Sequence, residues 1–120
     1  MRHSTTVRRT FQAEHQVVGH SRCGGWRHGH VWTIGITLAG GLDPKKVLVV
    51  DHGDLRAALD RVVDEFDGRD LNDMLPAVVT TPEGLGLYIL ERLILDWPTL
   101  TGATVEMGDT IISHIQMEPR

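Results

Sequence analysis

The run GHVWTIGITL, residues 29–38, decides the fold class of this chain. β-Branched and aromatic residues fill it, and such residues fit the pleated surface of a half-buried strand. We therefore predict a strand over residues 29–39. Earlier in the chain, Phe11 and Ala13 alternate with polar residues, which predicts another strand over residues 5–15. Glycines between the two runs indicate a loop, so the chain begins with a pair of strands.

Further along, the sequence predicts a short strand at residues 47–50 and then a helix. Asp51 is a suitable N-cap, because its side-chain oxygen can accept hydrogen bonds from the free N–H groups of a first helical turn. The helix extends to about residue 66 on an apolar stripe of helical period. The stripe consists of Leu55, Ala58, Leu59, Val62, Val63 and Phe66. A stripe of this kind faces a core.

A second helix is predicted to begin at Thr81-Pro82-Glu83 and to end before Pro98. Threonine as N-cap, proline at the first helical position and an acidic first turn are all typical of a helix start. Its expected apolar residues are Leu87, Leu90, Ile94 and Trp97. Residues 67–81 have the composition of a loop. The tail, residues 103–117, alternates and divides at Gly108-Asp109 into two strands.

The predicted order ββααββ describes an α+β fold in a single domain, residues 1–120, with a four-stranded antiparallel sheet and two helices on one face. The formal net charge is −4, from 12 basic and 16 acidic residues, so we expect no nucleic-acid partner. Neither a membrane-spanning run nor an N-terminal signal core is present, which predicts a cytoplasmic protein without membrane contact. The single cysteine, Cys23, is either a buried small residue or a reactive thiol, and its place before His28 favours the thiol.

His15, His28 and His30 are the candidate metal ligands. His28 and His30 stand at i and i+2, so they share one face of an extended strand, and a neighbouring strand can bring His15 beside them. Three imidazoles with an open fourth position are typical of catalytic Zn²⁺. An H-x-H pair alone also occurs on solvated surfaces. In a further reading the zinc is structural, with Cys23 as the fourth ligand.

These residues belong to a longer ordered pattern that resembles the 6-pyruvoyl-tetrahydropterin and 6-carboxy-tetrahydropterin synthase family. The family pattern F-x-A-x-H, then C-x(3 to 5)-H-G-H, is matched by Phe11, Ala13, His15, Cys23, His28 and His30. Its later elements are matched by Val49, Asp51 and Leu55, by residues 66–73, by Thr81 and Glu83, and by Asp109 and Thr110. The resemblance covers essentially the whole chain.

The resemblance implies a tunnelling fold whose subunits pair their sheet edges into a barrel, as a homohexamer of two stacked trimers. It implies a zinc-dependent carbon–oxygen lyase acting on 7,8-dihydroneopterin triphosphate, with 6-carboxy-5,6,7,8-tetrahydropterin, a precursor in queuosine biosynthesis, as the favoured product. In this reading His15, His28 and His30 hold the zinc. The implied catalytic residues are Cys23 and Asp67, and the implied substrate-binding residues are Asp109, Thr81 and Glu83.

The chain departs from the family pattern at two positions. Gly68 stands where the family has the histidine of an Asp-His proton relay, and Asp109 stands where it has a glutamate that anchors the pterin. His52 and His114 are the candidate replacements for the missing imidazole. The alternative function is therefore a zinc-containing binder of a pterin or purine-like ligand with diminished catalysis.

Overall fold

The computed structural model describes residues 2–17, 27–41 and 51–118. Its elements are β1 (Arg2–His15), β2 (His28–Gly41), α1 (His52–Val63), α2 (Leu71–Met74), α3 (Pro82–Leu93), β3 (Leu100–Met107) and β4 (Ile111–Gln116). The strands form one sheet in the order β1-β2-β3-β4, and every neighbouring pair is antiparallel. The predicted four-stranded antiparallel sheet is confirmed. The strand expected at residues 47–50 and the thiol of Cys23 lie outside the described residues.

The core lies between one face of the sheet and the helices α1 and α3. Trp32, Ile34, Ile36 and Leu38 are fully buried on this face of β2. The predicted stripe of the first helix is buried throughout: Leu55, Ala58, Leu59, Val62, Val63 and Phe66. Phe66 meets Phe11 edge to face, with ring centroids 5.3 Å apart. Aromatic packing therefore joins the end of α1 to β1.

Two helix boundaries differ from the prediction. The helix α1 ends at Val63, and the chain continues in a turn in which the Phe66 N–H donates to the Val63 carbonyl at 3.0 Å. That turn keeps Phe66 in the core beyond the regular helix. The helix α3 ends at Leu93. Leu87 and Leu90 both lie in this helix as expected, but Leu90 is buried whereas 52% of Leu87 is exposed. The buried face is formed by Leu85, Ile89, Leu90 and Leu93.

The segment predicted as loop contains one helical turn, α2. Asp70 caps this turn, since its side chain accepts hydrogen bonds from the N–H groups of Asn72 and Asp73. Just before it, the Gly68 N–H donates to the Gln12 carbonyl at 2.7 Å. The chain from residue 68 to residue 70 therefore lies along the outer edge of β1 and brings α2 to the end of that strand.

The other face of the sheet is largely polar, and no helix of the described residues covers it. Thr6 and Thr37 share a hydrogen bond of 2.6 Å across β1 and β2, and Thr10 and Thr33 share one of 3.0 Å. Arg8 forms an ion pair with Glu106 on this face. At the far edge, Ile111 and Ile112 of β4 are about half exposed. In the described part of the chain, no helix is both long enough and apolar enough to cross a membrane.

Candidate metal centre and adjoining pocket

Three histidine side chains meet at one end of the sheet, on the face that the helices cover. In the register of β1 and β2, His15 lies opposite His28, and Ala13 lies opposite His30. His28 and His30 project from the same side of β2, because they are two residues apart. One ligand atom from each of the three rings lies within 4.8 Å of the other two. The structure thus brings together the three predicted ligands.

A backbone carbonyl sets the orientation of the His15 ring. The His15 Nδ1–H donates to the Thr80 carbonyl at 2.7 Å, since a carbonyl oxygen can only accept. The neutral ring then keeps its lone pair on Nε2, which lies 3.0 Å from Nε2 of His28. Outer partners of this kind fix the tautomer and direction of a metal-binding histidine.

The donor set fits a zinc ion. Tetrahedral Zn²⁺ with Zn–N bonds of about 2.0–2.1 Å holds its nitrogens about 3.3 Å apart, close to the 3.0 Å between His15 and His28. Nε2 of His30 is buried and has no hydrogen-bond partner among the described residues, as expected of a nitrogen that binds a metal ion. In the described ranges no thiol or carboxylate joins the cluster, so those residues leave a fourth position to a further ligand.

The surroundings keep the rings in the form that binds metal. Burial lowers the pKa of His15, and the nearby His28 lowers it further, while the hydrogen bond to Thr80 opposes this effect. Burial and the neighbouring rings of His15 and His28 also lower the pKa of His30. Because a metal competes with protons for imidazole nitrogen, lowered pKa values favour metal binding at neutral pH.

Trp32 forms an apolar wall against the cluster. It is fully buried, and its ring meets His15 at 5.1 Å and His30 at 5.9 Å between centroids, in both cases nearly perpendicular. Its indole N–H donates to the Ala13 carbonyl at 3.2 Å, which fixes the ring in place. An apolar wall excludes water from one side of a metal centre and lowers the local dielectric constant.

An open cavity of about 500 Å³ adjoins the cluster. Its lining consists of Gln12, Ala13, Glu14, Gly29, His30, Val31, Gly68, Arg69 and Asp70. This volume is within the range of small-molecule sites. Gly68 has φ +76°, and a Cβ added there would meet no atom within 4 Å. The position of the missing family histidine therefore opens onto a cavity that a predicted zinc ligand also lines.

The sequence model of the 6-pyruvoyl tetrahydropterin synthase family matches residues 4–113. The chain belongs to this family. A protein of Archaeoglobus fulgidus provisionally named 6-carboxy-5,6,7,8-tetrahydropterin synthase is 31% identical over 84 residues, or 70% of each chain. The dihydroneopterin monophosphate aldolase of Pyrococcus furiosus is 32% identical over 93 residues, which cover 76% of this chain and 75% of the aldolase. Both relatives are similar along most of their length.

Solved structures of this family show the same fold. The 6-pyruvoyl tetrahydropterin synthase of Caenorhabditis elegans superposes with a TM-score of 0.87 at 21% identity, over 98% of this chain and 97% of that one. The synthase of Plasmodium vivax superposes with a TM-score of 0.78 at 16% identity, over 99% of each chain. The tunnelling fold inferred from the sequence is thereby confirmed.

Asp67, a predicted catalytic residue of this synthase-family chain, lies in an ion-pair cluster at the end of α1. Its Oδ2 accepts from Arg9 at 3.0 Å, and its Oδ1 accepts from the Gln12 N–H at 3.2 Å. Arg9 also donates to Asp60 and to Asp64, each at 2.8 Å. Within the protomer, Asp67 therefore ties α1 to β1. Its part in proton transfer stays a prediction, as does that of Cys23.

Thr81 and Glu83, predicted to bind substrate, lie at the start of α3. The Thr81 hydroxyl accepts from the Gly84 N–H at 3.1 Å and caps the helix. Glu83 Oε1 accepts from the Ser113 hydroxyl at 2.9 Å, which joins α3 to β4. Its own backbone N–H and then Ser113 lower the pKa of Glu83. Thr80, whose carbonyl accepts from His15, directly precedes Thr81, so the start of α3 adjoins the metal cluster, whereas the Glu83 side chain contacts β4.

Asp109, the predicted pterin anchor, is exposed in the turn between β3 and β4. The Gly108 N–H donates to the Val31 carbonyl at 2.9 Å, so the turn lies against the strand residue that follows His30. The alternative acidic residue, Glu106, is paired with Arg8 on the open face of the sheet. The structure thus places Asp109 at the same end of the sheet as the cluster, and its contact with substrate stays a prediction.

Sequence reasoning missed three residues that surround the cluster: Trp32, Asn72 and Thr80. Trp32 is two residues after His30 on the same strand, so its side chain projects from the same face. This spacing could have indicated that Trp32 adjoins the site. Asn72 belongs to the matched family element at residues 66–73 without an assigned role. No local sequence signal marks Thr80, because it contacts the site through its backbone carbonyl, which every residue has.

Proposed function

We propose that this protein is a zinc-dependent lyase that converts 7,8-dihydroneopterin triphosphate to a 6-substituted tetrahydropterin, most simply 6-carboxy-5,6,7,8-tetrahydropterin. The convergence of His15, His28 and His30 beside a ligand-sized cavity carries this proposal. Family membership and the names of the Archaeoglobus and Pyrococcus relatives support pterin chemistry. By analogy with the named product, we assign the protein to the queuosine precursor pathway in the cytoplasm.

His15, His28 and His30 would hold Zn²⁺, which would act as a Lewis acid toward the oxygens of the substrate side chain. The protein fixes the donors for this task. The Thr80 carbonyl holds the His15 ring with Nε2 toward the cluster, and Trp32 shields the same rings from water. In the proposed reaction, the cavity beside His30 receives the substrate.

Proton transfer is assigned to Cys23 and Asp67. A thiol ordinarily has a pKa of about 8.5, and a nearby cation lowers it, so Cys23 is suited to act as a general base beside the zinc. Asp109 is assigned to the amino-pyrimidine edge of the pterin, since a carboxylate can accept two parallel hydrogen bonds. Thr81 and Glu83 complete the proposed binding residues at the start of α3.

The proposed assembly is a hexamer of two stacked trimers, in which neighbouring subunits join their sheet edges into a barrel. The strands β1 and β4 occupy the two edges of the sheet, and an uncovered edge tends to pair with another chain. The apolar side chains exposed on β4, Ile111 and Ile112, support an interface there. The polar face with its threonine pairs would then line the barrel.

A second candidate is a zinc-containing binder of a pterin or purine-like ligand with diminished catalysis. Gly68 favours this candidate, because the position expected to carry the relay imidazole has no side chain. Within one protomer, neither replacement histidine lies beside it. His52 begins α1, a helix of 12 residues and so about 18 Å long, whose other end leads to Asp67. His114 pairs with Thr104, which pairs with Gly35, and Gly35 lies five positions along β2 from His30.

Metal content tests the site itself. The purified protein should contain one zinc ion per chain, and His28→Ala should lose it, since two imidazoles hold zinc far less tightly than three. His3→Ala is the matched control, because His3 is exposed on β1, away from the cluster, and its ring hydrogen-bonds to Thr5 at 3.2 Å. Full zinc content in His28→Ala, measured by atomic emission, would refute the assigned ligands. Loss of zinc from Cys23→Ser would support the structural reading, with the thiol as fourth ligand.

Product analysis tests the reaction. The zinc form is incubated with 7,8-dihydroneopterin triphosphate, and separately with dihydroneopterin monophosphate because one relative is an aldolase for that compound. Mass spectrometry should detect a tetrahydropterin product from the triphosphate. Ligand binding by calorimetry without any product would favour the binder, and product only from the monophosphate would refute the proposed substrate.

A further inference from the structure

The backbone just after His15 is held by a side chain. Asn72 Oδ1 accepts from the Gln16 N–H at 2.8 Å, and Asn72 Nδ2 donates to the Gln16 carbonyl at 2.9 Å. One amide thus satisfies both polar groups of the residue that follows the predicted zinc ligand, as a neighbouring strand would do. This contact fixes the end of β1 relative to α2.

The same amide also holds the segment that orients the His15 ring. The Thr80 hydroxyl donates to Asn72 Oδ1 at 3.1 Å, and Thr80 is only 3% exposed. The Thr80 carbonyl in turn accepts from Nδ1 of His15 at 2.7 Å. A closed network therefore joins the ring of His15, the backbone of Thr80, the amide of Asn72 and the backbone of Gln16.

We infer that Asn72 is a positioning residue of the metal centre, which acts by holding the Thr80 carbonyl and the His15 backbone in fixed relation. The inference rests on the proposed zinc site. Asn72 itself is not a predicted ligand and does not belong to the histidine cluster. Partners one shell outside a metal typically change its affinity about 10–100-fold when they are removed.

The network needs the donor and acceptor pattern of an amide. Asn72 accepts from Gln16 and from Thr80 and donates to Gln16, and an asparagine side chain supplies both functions. An ionised aspartate at this position would keep the two accepted bonds and lose the donated one. Alanine would lose all three. The two substitutions therefore give a graded removal of the network.

The test compares the zinc affinity of Asn72→Ala, Asn72→Asp and the wild type by competition with a chromophoric chelator. Asn72→Ala should bind zinc about 10–100-fold more weakly, and Asn72→Asp should lie between it and the wild type. The Co²⁺-substituted Asn72→Ala protein should also show an altered visible absorption spectrum, because a displaced imidazole changes the ligand geometry. Met74→Ala, which truncates an exposed side chain of the same short helix α2, is the matched control and should bind zinc as the wild type does.

Thermal unfolding of the metal-free proteins separates positioning from general stability. If Asn72→Ala fails to fold, Thr80→Val tests the same network. This substitution removes the hydroxyl that donates to Asn72 and keeps the carbonyl that accepts from His15, and we expect it to weaken zinc binding. A folded Asn72→Ala with wild-type zinc affinity and an unchanged Co²⁺ spectrum would refute the role of Asn72 but not the metal site. Unchanged zinc affinity in Thr80→Val would do the same. Absence of zinc binding in the wild type would refute the proposed metal site, and this inference with it.

Discussion

Gly68→His should restore a proton relay beside Asp67. The structure favours the substitution sterically, since a Cβ at position 68 meets nothing within 4 Å and the position opens onto the cavity that His30 lines. The backbone bond from the residue 68 N–H to the Gln12 carbonyl can be kept, because every residue except proline retains this N–H. A general acid–base group contributes about 10²–10⁴-fold in rate, and we expect a gain of about 10²-fold in turnover.

The same substitution should lower stability, because Gly68 has φ +76°. An L residue in the left-handed region is less favourable than glycine by roughly 1–2 kcal/mol, although histidine is among the residues that are enriched there. Gly68→Ala is the matched control for this effect. It should lose a similar free energy of unfolding in urea and gain no activity, since its methyl group cannot transfer a proton.

The assay measures product formation from 7,8-dihydroneopterin triphosphate by mass spectrometry, at equal zinc content in each variant. Gly68→His should change zinc content and ligand affinity little, because residue 68 is not one of the three residues that supply ligand atoms to the cluster. Equal turnover in Gly68→His and wild type would show that the relay is supplied elsewhere, and His52→Ala or His114→Ala should then abolish activity. Wild-type turnover that needs neither histidine and does not rise with Gly68→His would refute the reasoning.

Three further predictions concern stability and assembly. Phe66→Ala should lower the free energy of unfolding in urea by about 3–5 kcal/mol, because Phe66 is fully buried; a loss below 1 kcal/mol would contradict its place in the core. Because folding lowers the pKa of Glu83, its ionised carboxylate stabilises the fold at pH values above the ordinary pKa of 4.5. This contribution is lost as the pH falls through the lowered pKa. Ser113→Ala should raise that pKa in an NMR titration, and an unchanged value would exclude the hydrogen bond. Sedimentation should detect a hexamer at micromolar concentration, and a stable monomer would oppose the barrel.

Local patterns in the sequence were sufficient for the strands and for most of the helices. Alternation and β-branched residues marked β1 and β2, and caps at Asp51 and Thr81 marked the starts of α1 and α3. These signals are readable because periodicity and capping involve residues close together in the chain. The sequence placed both Leu87 and Leu90 in α3, but only packing against the sheet decided that Leu90 is buried and Leu87 is exposed.

The sequence determined the three metal-ligand candidates, because their strand spacing and the ordered family motif are both local properties. The tertiary structure alone decided what orients them. The Thr80 carbonyl lies 65 residues from His15 in the chain, and Asn72 lies 56 residues from Gln16. Contacts at such separations have no periodic signature, since they form only when α2 and the start of α3 pack against the end of β1. The pairing of Asp67 with Arg9, 58 residues apart, was hidden for the same reason.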